Sequence, residues 1–298
     1  MTTVAKTIVA TGASSGLGFE AVKQLLQQSQ PYKFIIGARN LQTARAAFDK
    51  VEYDATTHSV SILPLDLADL GTVKPFAQRT LKTLEKDKVD ILFLNAGMNK
   101  AADGPGLHGS KWCEAYLVNH LSQHYLTQLL RHKLGASHSR VVVVSSGLIR
   151  GVKEADIEAF ENNLKADSGA DGFKVYHASK FIQFLGAHWW RRQLGTSATV
   201  LAVSPGLVVG TGLGRHLDTK PNLDHIPDKL TVEDGAKNLL RAFDQDDFPE
   251  DPEQILLTSW GEWWPKDIYA LSLDKSLQDQ WCPSQGDIEA EAGITSSL

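Results

Sequence analysis

The chain has 298 residues, a formal net charge of −5, and a composition that is 42% hydrophobic and 22% charged. Such a chain can bury a sizeable core and does not have the composition of a disordered protein. It lacks the basic stripe typical of nucleic-acid binding, and its strongest apolar run, VVVV at 141–144, is too short to span a bilayer. We therefore expect no nucleic-acid partner and no membrane span.

Apolar runs and amphipathic stretches alternate along most of the chain. In chain order they predict a strand at 6–10, a helix at 16–28, a strand at 33–38, a helix at 41–52, a strand at 59–66, a helix at 72–86, a strand at 89–97, a helix at 112–132, a strand at 140–146, a helix at 176–194, a strand at 198–206, a helix at 231–243 and a strand at 254–259. Strands this uniformly apolar are buried on both faces, and their alternation with helices indicates right-handed crossovers between parallel strands.

This pattern predicts the α/β class, with a doubly wound, seven-stranded parallel sheet flanked by helices, in one large domain over 1–298 or in two small ones. Three polar segments are expected to be irregular: an insertion at 147–172, a substrate lid at 207–230 and a C-terminal extension at 259–298. Ligands of such sheets bind at the carboxyl ends of the strands, so the loops there are expected to hold the functional residues.

A glycine-rich turn, TGASSGLG at 11–18, joins the first predicted strand to the first helix. Glycines here permit a tight turn and let backbone N–H groups approach a pyrophosphate, which the helix N-terminus also favours. The sequence therefore predicts a dinucleotide site. Its expected cofactor contacts are Gly12, Ser14, Ser15, Gly16, Leu17 and Gly18.

The residue after the second strand distinguishes the two nicotinamide dinucleotides. A site for NAD usually has an acid there, which binds the ribose 2′-hydroxyl. This chain has Arg39 instead, and a guanidinium can bind a 2′-phosphate through two parallel hydrogen bonds. The predicted cofactor is therefore NADP(H).

Two later strand ends complete the predicted nucleotide site. Asp66, with Leu67 beside it, follows the third strand and is placed to hydrogen-bond the adenine amino group. The fourth strand ends in Asn95, Ala96 and Gly97, where the backbone has to pass close to the nucleotide. We expect all five residues to contact the cofactor.

A tyrosine and a lysine four residues apart, Tyr176 and Lys180, stand at the start of the predicted 176–194 helix. On a helix this spacing puts both side chains on one face, one turn apart. An ammonium pulls the pKa of a neighbouring phenol toward neutrality, so the pair is a candidate acid–base catalyst.

Six motifs in order make the chain resemble the short-chain dehydrogenase/reductase family from about residue 6 to about residue 260. They are TGASSGLG (11–18), LNAG (94–97), VNH (118–120), VSSG (144–147), YHASK (176–180) and SPG (204–206). The resemblance implies a single Rossmann domain with a Ser-Tyr-Lys-Asn active site.

By the family pattern, Tyr176 is the general acid/base, and Ser146 holds the substrate oxygen. Lys180 binds the nicotinamide ribose and lowers the tyrosine pKa by its charge. Asn119 anchors a water in a proton relay with Lys180. The resemblance thus implies that these four residues are catalytic.

The same resemblance extends the cofactor site to the loop after the sixth strand. It places Pro205 and Gly206 beside the nicotinamide, and it implies that Thr211 contacts the carboxamide or a phosphate. The glycines at 206, 210, 212 and 214 give this predicted lid its hinge freedom.

Two stretches, DGFKVYHASK at 171–180 and PGLVVGTGLGRHL at 205–217, resemble the branch of retinol dehydrogenases and protochlorophyllide reductases, which is mostly NADPH-dependent. Light-dependent protochlorophyllide reductases have cysteines where this chain has Ile182 and Leu207, so that photoreaction is not expected. The predicted function is reduction of a ketone or aldehyde to an alcohol. Reduction of a conjugated C=C bond and a non-catalytic NADP(H)-binding role stay open as alternatives.

The expected partner is a small, fairly apolar carbonyl compound, which Trp260, Trp263 and Trp264 could line. A homodimer through the helices bearing Asn119 and Tyr176 is possible, although long insertions can cover that surface. With two cysteines and no signal-peptide pattern, we expect a cytoplasmic protein. The ending SSL faintly resembles a peroxisomal address.

Two histidines, His120 and His124, lie four residues apart, a spacing that can bind a metal on a helix. No acid lies between them, and Asn119 already uses this helix. We therefore predict no metal site and expect these histidines on a partly exposed helix face.

Overall fold

The computed structural model describes residues 4–217 and 229–294, which form a sheet of seven parallel strands. In space the strands follow the order β3-β2-β1-β4-β5-β6-β7. They are β1 (Lys6–Thr11), β2 (Tyr32–Ala38), β3 (Ser59–Pro64), β4 (Ile91–Leu94), β5 (Arg140–Val144), β6 (Thr199–Val203) and β7 (Leu256–Leu257). The order reverses between β1 and β4, so the predicted doubly wound sheet is confirmed.

Helices fill the crossovers between the strands. They are α1 (Gly16–Leu25), α2 (Leu41–Phe48), α3 (Leu70–Leu84), α4 (Glu114–Tyr116), α5 (Ser122–Ser137), α6 (Glu154–Leu164), α7 (Gly172–Leu194), α8 (Val232–Asp244), α9 (Lys275–Trp281) and α10 (Gln285–Glu291). Side-chain caps fix several starts, since Asn40 accepts from the Thr43 N–H at 2.9 Å and Asp171 from the Lys174 N–H at 2.9 Å.

Alternating side chains of each strand build one apolar core on each face of the sheet. Val9 joins the core shared with α3, α5 and α7, whereas Ile8 and Ala10 join the core under α1 and α8. Most strands are therefore buried on both faces, as predicted. The edge strand β3 is the exception, because its residues are half-buried or exposed.

Two segments expected to be irregular contain helices. The 147–172 insertion includes α6, whose Phe160 and Leu164 are buried in the core. The 259–298 extension includes α9 and α10, together with a 3₁₀ stretch at Lys266–Leu273. Short amphipathic helices among polar residues gave a weak sequence pattern, which explains why both were missed.

The C-terminal helices pack on the outer side of the helices that carry the predicted catalytic residues. Helix α9 packs against α7, and α10 packs against α5. His120 Nε2 lies 2.8 Å from the Trp281 carbonyl oxygen, and His124 Nε2 lies 2.9 Å from that of Pro283. Over the described parts of the chain, we find no helix with the length and apolarity needed to cross a membrane.

Candidate active site

The β1–α1 turn packs directly on the end of β4. Gly12 has a φ of +61°, and a Cβ added there would lie 2.5 Å from the Ala96 Cα. Asn95 Nδ2 donates to the Gly12 carbonyl at 2.7 Å, and a Cβ at Gly18 would meet that amide nitrogen. Glycine at 12 and 18 thus allows a close approach that any side chain would block.

The start of α1 is open to a ligand. Its N-cap, Ser15, has an extended backbone and makes no side-chain capping bond, and the first turn contains no acid. Ser15 is exposed, and Ser14, Gly16 and Leu17 are half-buried. The backbone N–H groups of this turn can therefore donate hydrogen bonds to an anion, such as the pyrophosphate of a dinucleotide.

We expect Gly12→Ala to lower the melting temperature by about 5 °C or more. The left-handed conformation costs a side chain about 1–2 kcal/mol, and the contact with Ala96 adds to that cost. Gly16→Ala is the matched control, because φ there is +57° but no atom lies within 4 Å of the added Cβ. Thermal unfolding with and without NADPH measures both; equal losses would contradict the importance of the close approach.

Tyr176 and Lys180 lie one turn apart on α7 and are both buried. The Lys180 Nζ atom is 5.9 Å from the centre of the Tyr176 ring. It donates to the Val144 carbonyl at 2.8 Å and to Gln183 Oε1 at 2.9 Å. The ammonium is therefore fixed between the end of β5 and its own helix.

Ser146 follows β5 and faces the tyrosine. Its Oγ accepts from the Leu148 N–H at 3.3 Å, which caps the 3₁₀ turn Gly147–Gly151. Hydrogen bonding with Ser146 lowers the pKa of Tyr176. The neighbouring Ser145 is buried, and its Oγ has no hydrogen-bond partner among the described residues. Of the two serines, Ser146 is thus the one in contact with the phenol.

Asn119 lies in a π-helical stretch, Leu117–Leu121, between α4 and α5. Its Nδ2 donates to the Met98 carbonyl at 3.0 Å and to Ser179 Oγ at 2.9 Å, while its Oδ1 accepts from the Met98 N–H at 2.8 Å. A Cβ at Gly97 would lie 3.4 Å from Lys180 Nζ and 3.6 Å from Asn119 Oδ1. Single π-turns often mark functional sites, and this one brings Asn119 beside the lysine.

Burial governs the pKa values of the central pair. It raises the pKa of Tyr176 to about 12, against the opposing effect of Ser146, and lowers the pKa of Lys180 to about 7. We expected the lysine charge to lower the tyrosine pKa, but the Tyr176 pKa lies above its ordinary value because burial is the largest influence on it. The reason is that desolvation penalises the charged form of both groups.

Arg39 immediately follows β2 and is 62% exposed. Its Nη1 lies 4.0 Å from Glu114 Oε1, but Glu114 is held more closely by Lys100 at 2.7 Å. Burial lowers the pKa of His216, and the charges of Arg215, Lys100 and Arg39 lower it further. The structure thus places Arg39 beside the end of β2, in a cluster of mixed charge with Glu114 and Lys100.

The adenine side of the predicted site is a tight turn after β3. Asp66 Oδ1 accepts from the Ala68 N–H at 3.0 Å, and the Leu67 carbonyl accepts from Ser122 Oγ at 2.6 Å. Asp66 is half-buried and Leu67 is buried. One carboxylate oxygen of Asp66 therefore shapes its own loop, while the other makes no hydrogen bond within the described residues.

The loop after β6 reaches over the site. Pro205 accepts from Asn238 Nδ2 at 3.1 Å, and Gly206 has a φ of +89°. Thr211 lies in this loop, and the Leu213 carbonyl accepts from the Asn99 N–H at 3.3 Å, which links the loop to the segment after β4. The remainder of the predicted lid, 218–228, lies outside the described residues.

The tryptophans of the 260–265 stretch divide between two roles. Trp264 is buried, and its Cη2 atom would lie 3.5 Å from a Cβ added at Gly147. The Arg150 guanidinium lies over the same ring, 5.4 Å from its centre. Trp260 is 58% exposed and packs edge-on against Trp264. Trp263 instead packs against the opposite core, so it does not line the site.

His120 and His124 are buried, so the prediction of a partly exposed helix face is wrong. Burial lowers their pKa values to about 4 and about 3, and both rings hydrogen-bond carbonyls of the C-terminal extension. They therefore attach the extension as neutral side chains. Within residues 4–217 and 229–294, no group of three His, Cys, Asp or Glu side chains could hold a metal.

Sequence reasoning missed a set of buried amides around the site. Gln123 accepts from Thr11 Oγ1 at 2.8 Å and donates to the Ala96 carbonyl at 3.0 Å, which ties β1 to β4. Gln183 accepts from the Lys180 Nζ, whereas Asn99 is half-buried and its backbone N–H donates to the Leu213 carbonyl in the loop after β6. Buried glutamine on an otherwise apolar helix is the signal that could have revealed the first two.

Comparisons with known proteins agree with this geometry. The family model for "short chain dehydrogenase" matches residues 6–154. A short-chain dehydrogenase/reductase of Pestalotiopsis microspora is 86% identical over 97% of this chain and 99% of its own length. Retinol dehydrogenase 14 of Mus musculus is 34% identical over 74% of this chain and 64% of its own length.

Solved structures share the fold at low sequence identity. The NADPH-bound carbonyl reductase from chicken fatty liver has a TM-score of 0.63 and 20% identity, covering 87% of this chain and 98% of that one. An alcohol dehydrogenase of Thermococcus sibiricus, complexed with 5-hydroxy-NADP, has a TM-score of 0.62 and 18% identity, covering 86% and 96%.

The fold and the relatives together define an oxidoreductase with a Rossmann domain. The chain belongs to the short-chain dehydrogenase/reductase family, and it lies near the retinol dehydrogenase branch.

Proposed function

We propose that this protein is an NADPH-dependent reductase that converts a ketone or aldehyde into an alcohol. The observation that carries the proposal is the arrangement of Ser146, Tyr176 and Lys180 at the carboxyl ends of the central strands, beside the open glycine turn. A proton donor, an oxygen-binding hydroxyl and a buried ammonium are the groups that carbonyl reduction needs.

In the proposed reaction NADPH, when bound, supplies the hydride. Ser146 donates a hydrogen bond to the substrate oxygen and fixes its position. Tyr176 then delivers the proton to that oxygen as negative charge develops on it. Lys180 stands behind the phenol and stabilises the phenolate that remains.

Binding of NADP(H) would be shared between the two ends of the site. The β1–α1 turn would take the pyrophosphate, Arg39 the 2′-phosphate, and Asp66 with Leu67 the adenine. The remainder of the cofactor would be enclosed on one side by Asn95, Ala96 and Gly97, and on the other side by Pro205, Gly206 and Thr211. The NADPH-bound and 5-hydroxy-NADP-bound relatives of the same fold support this assignment.

We expect Arg39→Ala to weaken NADPH binding by about 10- to 100-fold, because a charge-assisted hydrogen bond contributes about 1.5–3 kcal/mol. NADH binding should change by less than about threefold, since NADH has no 2′-phosphate. Arg45→Ala, which removes an exposed arginine from α2, is the matched control. Fluorescence titration with each cofactor measures the two dissociation constants. Equal weakening of NADPH and NADH binding would contradict the 2′-phosphate role.

An apolar substrate is favoured by the exposed apolar side chains on the segments that carry and flank the site. Phe173 is 61% exposed one turn before Tyr176, and Leu148 is exposed two residues after Ser146. Leu207, Val209 and Leu213 are exposed in the loop after β6, and Trp260 stands beside Trp264. Exposed apolar groups on the segments that carry and flank the site favour binding of an apolar molecule.

Reduction of a conjugated C=C bond is the second candidate, and it requires the same residues. The products separate the two: an alcohol from the carbonyl reaction, a saturated carbonyl from the other. Purified protein incubated with NADPH and a panel of apolar ketones, aldehydes and enones gives this answer. NADPH binding without any turnover across a broad panel would instead favour the non-catalytic NADP(H)-binding role.

A homodimer stays a proposal, with a constraint from the C-terminal extension. Helices α9 and α10 pack on α7 and α5, so they cover part of the surface through which a dimer was expected. A dimer of this protein would therefore need a different or enlarged interface.

A further inference from the structure

Gln183 lies one turn after Lys180 on α7 and is only 4% exposed. Its Oε1 accepts from the Lys180 Nζ at 2.9 Å, and the Val144 carbonyl accepts from the same nitrogen at 2.8 Å. An ammonium has three N–H donors. Two are thus bound by the chain itself, and the third has no hydrogen-bond acceptor among the described residues.

The orientation of the Gln183 amide follows from its partner. An ammonium only donates, so the amide oxygen has to face Lys180 and the NH₂ group has to face away. That Nε2 is buried with no hydrogen-bond partner among the described residues. An unpaired buried amide is unfavourable, and a methionine would fill similar space without it. Packing alone therefore does not account for a glutamine here.

Within the part of the chain that the structure describes, no charged group lies beside the lysine to balance its charge. Its described surroundings are Tyr176 on α7, the Val144 carbonyl at the end of β5, Gly97 after β4 and the Asn119 amide. Of these only Tyr176 titrates, and burial holds its proton by raising its pKa to about 12. The two carbonyl-type oxygens are thus the groups that favour the ammonium form, while burial lowers the Lys180 pKa to about 7.

We propose that Gln183 is a positioning residue, which keeps Lys180 protonated and directs its third N–H into the cleft. The role of Lys180 in this inference rests on the proposed function, but the contact between Gln183 and Lys180 does not. In the proposed reaction, the free N–H would reach the cofactor ribose and the retained charge would favour the phenolate of Tyr176.

The test is the titration midpoint of Lys180 in the purified protein without added cofactor, followed by NMR of lysine labelled with ¹³C at Cε. The signal is assigned by its absence in Lys180→Arg. Gln183→Met removes the acceptor, so proton affinity should fall about tenfold, a shift of about one pH unit downward. Gln183→Glu adds a negative charge and should shift the midpoint upward by a similar amount.

Gln193→Met on the same helix is the matched control, because the Gln193 side chain is half-buried and lies away from Lys180. The Lys180 midpoint in this variant should equal that of the wild type. Midpoints in Gln183→Met and Gln183→Glu within about 0.3 pH unit of the wild type would overturn the inference. If Gln183→Met does not fold, the Lys180 midpoint in Gln183→Glu alone decides whether the inference holds.

The same variants separate this inference from the proposed function. Given turnover, the alkaline limb of the pH–rate profile should move down in pH with Gln183→Met and up with Gln183→Glu. If the wild type reduces no carbonyl but the NMR midpoints still move, the proposed function fails and the control of Lys180 by Gln183 stands. If the wild type is active and the midpoints do not move, only the role of Gln183 fails.

Discussion

Replacing Tyr176 by Phe should lower the rate of carbonyl reduction by about 10²- to 10⁴-fold, the usual contribution of a general acid. The aromatic ring is buried and would keep its packing, so the variant should fold and bind NADPH with nearly the wild-type affinity. What it loses is the hydroxyl that Ser146 influences and that we propose as the proton donor. Steady-state rates and a separate NADPH titration give the two quantities.

Tyr125→Phe is the matched control for this substitution. Tyr125 is also a buried tyrosine, and its hydroxyl donates to Glu289 at 2.8 Å, where α5 contacts the C-terminal extension. Losing that bond should cost stability of about 0.5–1.5 kcal/mol but leave the rate unchanged. A Tyr176→Phe variant that retained a tenth or more of the wild-type rate would remove Tyr176 as the proton donor.

Replacing Ser146 by Ala should slow reduction by about 10²- to 10³-fold, as loss of a single oxyanion donor does. The effect should fall mainly on kcat, because the hydroxyl matters most when charge develops on the substrate oxygen. The backbone of the Gly147–Gly151 turn loses one weak cap, at 3.3 Å from the Leu148 N–H, so a small loss of stability is expected as well.

Ser145→Ala distinguishes the two adjacent serines. The Ser145 hydroxyl is buried without a hydrogen-bond partner in the described chain, and its removal should change the rate by less than about threefold. Rates measured side by side with one substrate decide the assignment. A near-normal rate for Ser146→Ala together with a large loss for Ser145→Ala would reverse it.

Much of the fold was predictable because short apolar runs alternate with amphipathic stretches along the chain. Runs such as VVVV at 141–144 are typical of strands buried on both faces, and their alternation with helices predicted the doubly wound parallel sheet, in which β1 pairs with β4. The helices of the insertion and the extension were not predictable in the same way. Their stability comes from contacts with distant parts of the chain, such as that of α9 with α7.

The candidate site was likewise predictable only in part. Spacing predicted that Tyr176 and Lys180 would lie together, the family resemblance added Ser146, and the structure brings the three together. Spacing could not predict burial, so the raised pKa of Tyr176 was missed. Nor could it predict the Gln183 contact, since the hydrogen bond depends on the rotamers of two side chains on one helix.

Deuteride transfer from NADPH labelled with deuterium at the nicotinamide C4 position tests the proposed activity most directly. Apolar ketones and aldehydes would be incubated with the protein and labelled NADPH, with Tyr176→Phe as a parallel sample, and the products identified by mass spectrometry and NMR. A carbonyl reductase gives an alcohol with deuterium on the carbinol carbon, and this product should be nearly absent with Tyr176→Phe. Deuterium on a saturated carbon next to an intact carbonyl, or an equal yield from both proteins, would contradict the proposal.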